Sequence, residues 1–343
     1  MKKALELAEK GNTSPNPLVG CVIVKDNKIV GQGFHEKFGG PHAEINALKK
    51  AGKKSKGATM YVTLEPCNHY GKTPPCTNSI IKAGIKKVIV SMLDPNPLMK
   101  GKSLKQLEKK GIKTEKGLLE EKAKKINENY IKFISTKKPF VILKAAITLD
   151  GKIATEKFDS KWISSKESRE KVHELRSKTD AILVGENTIL KDNPRLTSRI
   201  KKGKNPLRII ITTKKLSSKL NVFKDENFLI ATTRKELFKE KNFENKVLEL
   251  KGKKGLVDLK KLMKELGKRN ISSLFVEGGS GIFTSFVKEK LADKLMLFVS
   301  PKIFGKGIPV FGNLKIKKAK NAIQMKELSF VPIGNDVLIQ GYF

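Results

Sequence analysis

Glu65-Pro66-Cys67-Asn68-His69-Tyr70-Gly71-Lys72-Thr73-Pro74-Pro75-Cys76 closes the apolar run Thr59–Leu64 and opens a second run with helical spacing. Upstream, His42-Ala43-Glu44 starts a helical pattern that puts Ile45, Leu48 and Ala51 on one side. One imidazole and two thiols thus fall at strand ends or helix starts. Such ligands, His42, Cys67 and Cys76, fill three positions of a tetrahedral zinc and leave the fourth for a water whose pKa the metal lowers toward neutrality. Glu44 stands two residues from a ligand and can carry a proton from that water to a leaving amine. Each piece alone is ordinary, since His-x-Glu is common and an intracellular Cys usually packs as a small hydrophobe. Packing is the reading for Cys21, which sits inside an apolar strand.

Working outward, Leu18–Lys25 and Lys28–Phe34 read as a hairpin about Asp26-Asn27. After Cys76–Ala83 the pattern gives a strand at Lys87–Met92, a helix at Ser103–Lys110, a short strand near Ile112 and one long amphipathic helix over Glu120–Ile134. Ser135-Thr-Lys-Lys-Pro139 marks a boundary, so domains are expected at 1–136 and 137–343. Beyond it, strands at Phe140–Ile147, Ala181–Gly185, Leu207–Thr212, Asn227–Thr232 and Ser273–Glu277 alternate with helices at Lys166–Ser177, Leu256–Leu266 and Gly281–Lys288. Strands spaced by helices predict an α/β fold with a mainly parallel sheet covered on both faces.

The 343 residues suffice for two such domains. No run approaches the roughly 20 apolar residues of a spanning helix, and the N-terminus has helical periodicity with internal acids in place of a signal peptide; a cytoplasmic protein is expected, without membrane partners. The net charge of +37 would ordinarily suggest a polyanion. It is spread out, however: residues 1–136 carry +14 and the remainder +23, which suits solvated Lys better than a nucleic-acid stripe. Arg is used sparingly, and five of the seven, Arg169, Arg176, Arg195, Arg199 and Arg208, fall within forty residues, where a planar fork suits a carboxylate or phosphate. The three cysteines argue against a disulfide framework.

The combination of His-Ala-Glu, Pro-Cys and a second Cys at a helix start is the signature of zinc nucleobase deaminases. The long spacer between the thiols is unusual for that group. With Ser14-Pro-Asn-Pro-Leu-Val-Gly20, Tyr61-Val-Thr-Leu-Glu-Pro66 and Asp94-Pro-Asn-Pro97, it resembles the deaminase half of the bifunctional riboflavin-biosynthesis deaminase/reductase family. The resemblance implies a cytidine-deaminase-like three-layer α/β/α domain with one Zn²⁺, and nominates Asn16, His35, His69, Lys72, Asp94 and Asn96 as contacts to a pyrimidine ribotide. Chemically, Lys72 can meet a phosphate and Asn16 can pair with a pyrimidinone edge.

Five further motifs resemble the reductase half of the same family: Leu143-Lys-Ala-Ala-Ile-Thr-Leu-Asp-Gly-Lys-Ile-Ala154, Asp159-Ser-Lys-Trp-Ile-Ser164, Leu183-Val-Gly-Glu-Asn-Thr188, Asp192-Asn-Pro-Arg-Leu-Thr197 and Val276-Glu-Gly-Gly-Ser280. The last reads physically as a strand, a Gly-Gly turn and a helix start that could present bare N–H groups to a pyrophosphate. There is no Gly-x-Gly-x-x-Gly fingerprint, which argues against a Rossmann dehydrogenase. The resemblance implies a dihydrofolate-reductase-like α/β domain using NADPH. It puts Ala146, Trp162, Thr188, Asp192, Thr213, Gly279, Ser280, Gly281, Ile282, Phe283, Thr284 and Ser285 at cofactor positions, and Ser160, Arg176, Leu196, Arg199 and Glu277 at substrate positions. Arg176 and Arg199 together would reach one ribose phosphate. Trp162 stacks near the nicotinamide or fills core. Lys144 and Glu277, opposite charges on two strands, are expected to position the sugar and handle the proton that accompanies hydride transfer.

The expected activity is therefore zinc-dependent removal of the 2-amino group of 2,5-diamino-6-ribosylamino-4(3H)-pyrimidinone 5′-phosphate, then NADPH-dependent reduction of its ribosyl chain to ribityl, in a homo-oligomer. Rivals are an RNA adenosine deaminase, which would use the charge, a deaminase with a non-catalytic C-terminal module, and a binding protein with a structural zinc, which three ligands with a Glu beside them oppose because a structural site would normally be closed. The spacer and the second half oppose the first, and the intact Glu277-Gly-Gly and Asp192-Asn-Pro-Arg oppose the second.

Overall fold

The computed structural model describes residues 1–70, 74–201 and 203–343, and the chain divides into two compact units, Met1–Lys137 and Lys138–Phe343. In the first unit, α1 (Lys2–Ala8) precedes the hairpin β1 (Gly20–Lys25) and β2 (Lys28–Phe34), then α2 (Ala43–Ala51), β3 (Thr59–Leu64), α3 (Cys76–Lys82) and β4 (Lys87–Met92). It closes with α4 (Lys102–Lys109), β5 (Lys113–Lys116), α5 (Glu120–Ile126) and α6 (Glu128–Thr136). Among the described residues its sheet runs β2-β1-β3-β4-β5, antiparallel at the hairpin and between β1 and β3, parallel from β3 to β5. The buried Cys21, Ile23, Met60, Val62, Val88 and Val90 of the three central strands pack with Ala43, Ala47 and Ala51 of α2 and Ile80 of α3, so burial on both faces explains their near-continuous apolar runs.

Two glycine contacts bring α2 close. A Cβ on Gly33 would lie 2.6 Å from the Ala47 nitrogen, and one on Gly31 2.4 Å from the Ala47 oxygen. Only a bare strand lets the small-residue face of α2 approach this far.

The helix expected over Glu120–Ile134 is two helices. Asn127 breaks it at φ −112°, ψ 16°, because its side chain accepts from the Leu18 amide at 2.8 Å and donates to the Leu18 carbonyl at 3.0 Å. An apolar periodicity cannot register such a side chain competing for backbone groups.

The second unit contains β6 (Phe140–Thr148), β7 (Lys152–Ala154), α7 (Lys166–Ser177), β8 (Ala181–Gly185), α8 (Glu186–Asp192), β9 (Leu207–Thr212), β10 (Phe228–Thr232) and β11 (Val247–Glu249). It continues with α9 (Leu259–Lys268), β12 (Ser273–Val276), α10 (Ser280–Lys288), β13 (Lys294–Ser300), β14 (Ile308–Pro309), β15 (Lys326–Ile333) and β16 (Asp336–Tyr342). Among the described residues the large sheet runs β11-β10-β9-β8-β12-β6-β13-β16-β15. It is parallel from β11 to β13, and its last two pairings are antiparallel. The expected mainly parallel sheet thus gains an antiparallel edge. Separate apolar clusters cover its two faces, one including Leu143, Leu183, Leu262 and Phe286, the other Ile142, Ile182, Phe243 and Phe298. Helix α9 begins at Leu259, three residues later than its apolar pattern, because Asp258 caps it by accepting from the Lys261 amide at 2.9 Å.

Candidate active sites

The first site is assembled at the ends of β3 and two helices. His42 is the N-cap of α2 and Cys76 the first residue of α3, while Cys67 follows Pro66 beyond β3. Zinc bonds of about 2.0 Å to nitrogen and about 2.3 Å to sulfur, at tetrahedral angles, separate those ligand atoms by about 3.5 Å. His42 Nδ1 lies 3.4 Å from Cys67 Sγ and 3.3 Å from Cys76 Sγ, and one ligand atom from each of the three residues lies within 4.8 Å of the others. The donor set therefore fits zinc without rearrangement. The Cys76 amide also donates to Cys67 Sγ at 3.3 Å. Hydrogen bonding from Cys76 pulls the Cys67 thiol below its ordinary range, burial opposes this, and His42 adds to it.

Glu44, in the first turn of α2, is 3% exposed. Burial, reinforced by the charge on Cys67 and opposed by His42, pushes its carboxyl up to about 7. Next to the ligands lies a polar chain. The ring of His35 meets that of His42 edge-on with centroids 5.1 Å apart, and His35 Nδ1 donates to the Pro41 carbonyl at 3.1 Å. Burial lowers the pKa of His35, so in the neutral ring Nε2 is an acceptor. It faces Asn16 Nδ2 at 3.5 Å.

The other nominated contacts lie on a separate loop system. Asp94 is buried, and its Oδ1 accepts from the Tyr130 hydroxyl at 2.7 Å and the Asn96 amide at 2.9 Å. Burial raises its pKa. His69 Nδ1 lies 3.2 Å from Met99 Sδ. Lys72 is outside the described residues.

The second site is a cavity of about 1160 Å³. Its wall carries Lys144 and Ala146 of β6, Arg176 of α7, Thr188 and Asp192 of α8, Thr213 after β9 and Glu277 after β12. Ser160, Trp162, Leu196, Arg199, Gly279, Ser280, Gly281, Ile282, Phe283 and Ser285 complete the expected set. Thr284 is the exception. Its hydroxyl turns away, donating to the Ser280 carbonyl at 2.6 Å and accepting from the Gly312 amide at 2.7 Å.

A Cβ on Gly279 or Gly281 would meet nothing within 4 Å, and Gly279 starts α10 without a side-chain cap. The first amides of α10 can therefore serve an anionic group such as a pyrophosphate, which suits a dinucleotide. A Cβ on Gly278 would strike Ile282 at 2.8 Å, so that turn is set by close packing.

Glu277 is held by two cations. Arg176 donates through Nε to Oε1 at 2.6 Å and through Nη2 to Oε2 at 2.9 Å, while Lys144 Nζ stands 3.6 Å from Oε2. Burial alone would raise Glu277, but Arg176 and then Lys144 outweigh it and hold the carboxyl at about 2. Lys144 is lowered by burial, with Glu277 opposing and Arg176 reinforcing. The fork of Arg176 is thus engaged by Glu277 and by the Thr197 carbonyl at 3.2 Å, a carboxylate being one of the two partners that the sequence offered for the Arg cluster. Trp162 does not fill core. It is 63% exposed and stacks on the Arg169 guanidinium, 4.5 Å from its ring centre. Sequence reasoning missed His173 and Glu186 of the cavity wall; Glu186 accepts from the Thr212 hydroxyl and the Thr213 amide, each at 2.9 Å. Arg169 and Arg195 also line it, and their place in the Arg cluster was the available signal.

Comparison with known proteins agrees over the whole chain. The cytidine and deoxycytidylate deaminase zinc-binding region matches residues 1–92, and the RibD C-terminal domain matches residues 139–339. The riboflavin biosynthesis protein RibD of Aquifex aeolicus is 46% identical, covering 99% of this chain and 96% of its own length. RibD of Escherichia coli is 37% identical, with 99% and 97% covered. Among solved structures, a diaminohydroxyphosphoribosylaminopyrimidine deaminase/5-amino-6-(5-phosphoribosylamino)uracil reductase from Thermotoga maritima superposes with a TM-score of 0.90 at 42% identity, covering 100% of this chain and 97% of that one.

Proposed function

This chain belongs to the RibD family of bifunctional deaminase/reductases of riboflavin biosynthesis, and from that premise we propose which ribotide it takes and which residues act on it. Residues 1–136 deaminate 2,5-diamino-6-ribosylamino-4(3H)-pyrimidinone 5′-phosphate, and residues 137–343 reduce the ribosyl chain of the product to ribityl. The observation that carries this reading is that one chain holds both a His42–Cys67–Cys76 cluster of zinc dimensions and a cavity whose wall includes the Lys144–Glu277–Arg176 group.

When bound, zinc supplies the polarisation that makes the attacking water nucleophilic at neutral pH. Glu44 carries the two protons of that water in turn on a carboxylate oxygen, giving the first to the ring nitrogen and the second to the departing amine, so a C–O bond forms, a C–N bond breaks and ammonia leaves. Asn16 and His35 hold the pyrimidine edge, with His69, Lys72, Asp94 and Asn96 toward the ribose phosphate. NADPH supplies the hydride when bound, and Ala146, Trp162, Thr188, Asp192, Thr213 and residues 279–285 are its contacts. Lys144 Nζ delivers the accompanying proton, and Glu277 keeps Lys144 charged and orients the opened sugar. Ser160, Leu196 and Arg199 complete the ribotide site, with Arg176 steering Glu277.

A homo-oligomer is supported by the sheet edge β15, where Leu328 and Phe330 are more than half exposed. Light scattering on the purified protein tests it, and a monomer at micromolar concentration contradicts it. Among the described residues no helix is long and apolar enough to cross a membrane; we place the enzyme in the cytoplasm, without a nucleic-acid partner.

Mass spectrometry of products from the zinc-loaded enzyme tests the central reading. The diaminopyrimidine ribotide should gain about 1 Da without NADPH, as amine is replaced by oxygen, and about 2 Da more with it. A ribotide recovered unchanged in both reactions would overturn the substrate assignment.

A further inference from the structure

Glu65 sits between the apolar strand β3 and Pro66-Cys67, and the catalytic reading above gives it no role. Its side chain is 3% exposed. A buried carboxylate is costly unless its lone pairs are filled, and here four donors fill them. Oε2 accepts from the amides of Asp94 at 3.1 Å and Gly101 at 2.9 Å. Oε1 accepts from the amide of Ser103 at 3.1 Å and its hydroxyl at 2.7 Å. The backbone amide of Glu65 donates to the Met92 carbonyl at 3.0 Å.

All four donors belong to one segment, the loop after β4 and the first turn of α4. That loop holds Asp94 and Asn96, and Met99 of the same loop touches His69. The carboxylate also occupies the start of α4, where unpaired amides and the helix dipole favour a negative charge. Two residues further on, the same strand end supplies the ligand Cys67. One side chain thus fastens the loop of proposed ribotide contacts to the segment that carries a metal ligand.

We propose that Glu65 is a positioning residue that sets the distance between the zinc-binding segment and the ribotide loop, so that losing it weakens substrate binding while the metal stays in place. This rests on the reading of Asp94 and Asn96 as ribotide contacts. Glu65→Gln keeps the shape but turns one acceptor oxygen into an amide donor. Either orientation of the amide sets it against backbone donors, the Asp94 and Gly101 amides on one side or the Ser103 amide on the other.

The experiment is steady-state deamination by the full-length zinc enzyme, with zinc content and hydrogen exchange measured on the same preparations. For Glu65→Gln we expect KM to rise roughly tenfold, kcat to change much less, zinc to remain at one per chain, exchange over residues 94–103 to accelerate, and reduction kinetics to hold. A folded variant with unchanged KM, or one that loses activity in step with its zinc, overturns the proposal. Ser103→Ala removes a single donor and serves if Glu65→Gln does not fold; a KM rise of roughly two- to threefold supports the proposal, and an unchanged KM sinks it. Asn96→Ala separates the two layers of the argument. Unchanged KM there refutes the reading of the loop, whereas a raised KM with a silent Glu65→Gln refutes the role of Glu65 alone.

Discussion

The two sites solve the problem of holding charge in opposite ways. In the first unit, His42, Cys67 and Cys76 bring three ligand atoms within 4.8 Å of one another, an arrangement whose charge a metal would balance. In the second, Glu277 is already compensated by Arg176 and Lys144, and the cavity beside them is a space rather than a coordination sphere. A site that waits for an ion fails completely when a ligand is lost, because the remaining donors cannot reproduce its geometry. A self-compensated site keeps its shape and loses function by degrees.

The largest effect should therefore come from Cys67→Ala. Zinc content should fall from one per chain toward zero and deamination by roughly a thousandfold or more, while NADPH oxidation with the deaminated ribotide stays near the wild-type rate. Metal analysis and the two half-reaction assays check this. Parallel loss of reduction would break the contrast, since it would make the second site depend on the first. Glu44→Gln sharpens it, with deamination down about 10²–10⁴-fold and zinc retained.

Lys144→Ala comes next. Reduction should fall about a hundredfold with NADPH binding, followed by fluorescence titration, nearly unchanged, and full activity would remove Lys144 from the chemistry. The variant should still fold, because Arg176 continues to neutralise Glu277 through two hydrogen bonds.

How legible these sites were follows from the same contrast. Metal ligation demands particular atoms at fixed separations, so His42, Cys67, Cys76 and Glu44 can be found from residue type and the ends of apolar runs. The reductase cavity draws its wall from β6, α7, α8 and the turns after β9 and β12, far apart in sequence, and its residue types, Ala146, Leu196 and Gly279 among them, are chemically bland. They were reachable only by resemblance. What neither route gave is the work of polar side chains on the backbone: Asn127 splitting a helix, Thr284 turning inward, Glu65 fastening a loop. Each depends on a partner remote in sequence, and no local pattern records it.

The compensated group also makes an acid-side prediction. Glu277 is held at about 2, below the ordinary Glu value of about 4.3. A carboxyl depressed on folding stabilises the native state fully above its unfolded pKa, and that stability is lost as pH falls through the folded value. Between roughly pH 4.3 and 2 the second unit should lose on the order of 3 kcal/mol from this group, and less where water in the cavity screens the pair. Glu174, held at about 2 chiefly by hydrogen bonds from Lys171 and Lys178, titrates in the same window, so the measurement is the difference between wild type and Glu277→Gln in acid-dependent unfolding. Parallel curves would mean that the three charges do not act as a unit.

The smallest effect tests the helix that carries Arg176. Helices α2 and α3 begin at His42 and Pro75 without side-chain caps, since chemistry or chain geometry occupies those positions. Helix α7 is capped in the ordinary way. Ser165 Oγ accepts from the Ser168 amide at 3.2 Å, and Asp336 Oδ2 accepts from the Ser165 amide at 2.7 Å and the Ser168 hydroxyl at 2.6 Å. Ser165→Ala removes the side-chain cap but leaves the amide bond to Asp336, so it should cost about 1 kcal/mol in denaturant unfolding. Arg176 sits three turns further along, fixed by its own fork to Glu277, and reduction should change less than about twofold. A much larger loss of reduction would mean that Arg176 is placed by the start of α7 and not by Glu277, and the second site would then be as dependent on its scaffold as the first is on its metal.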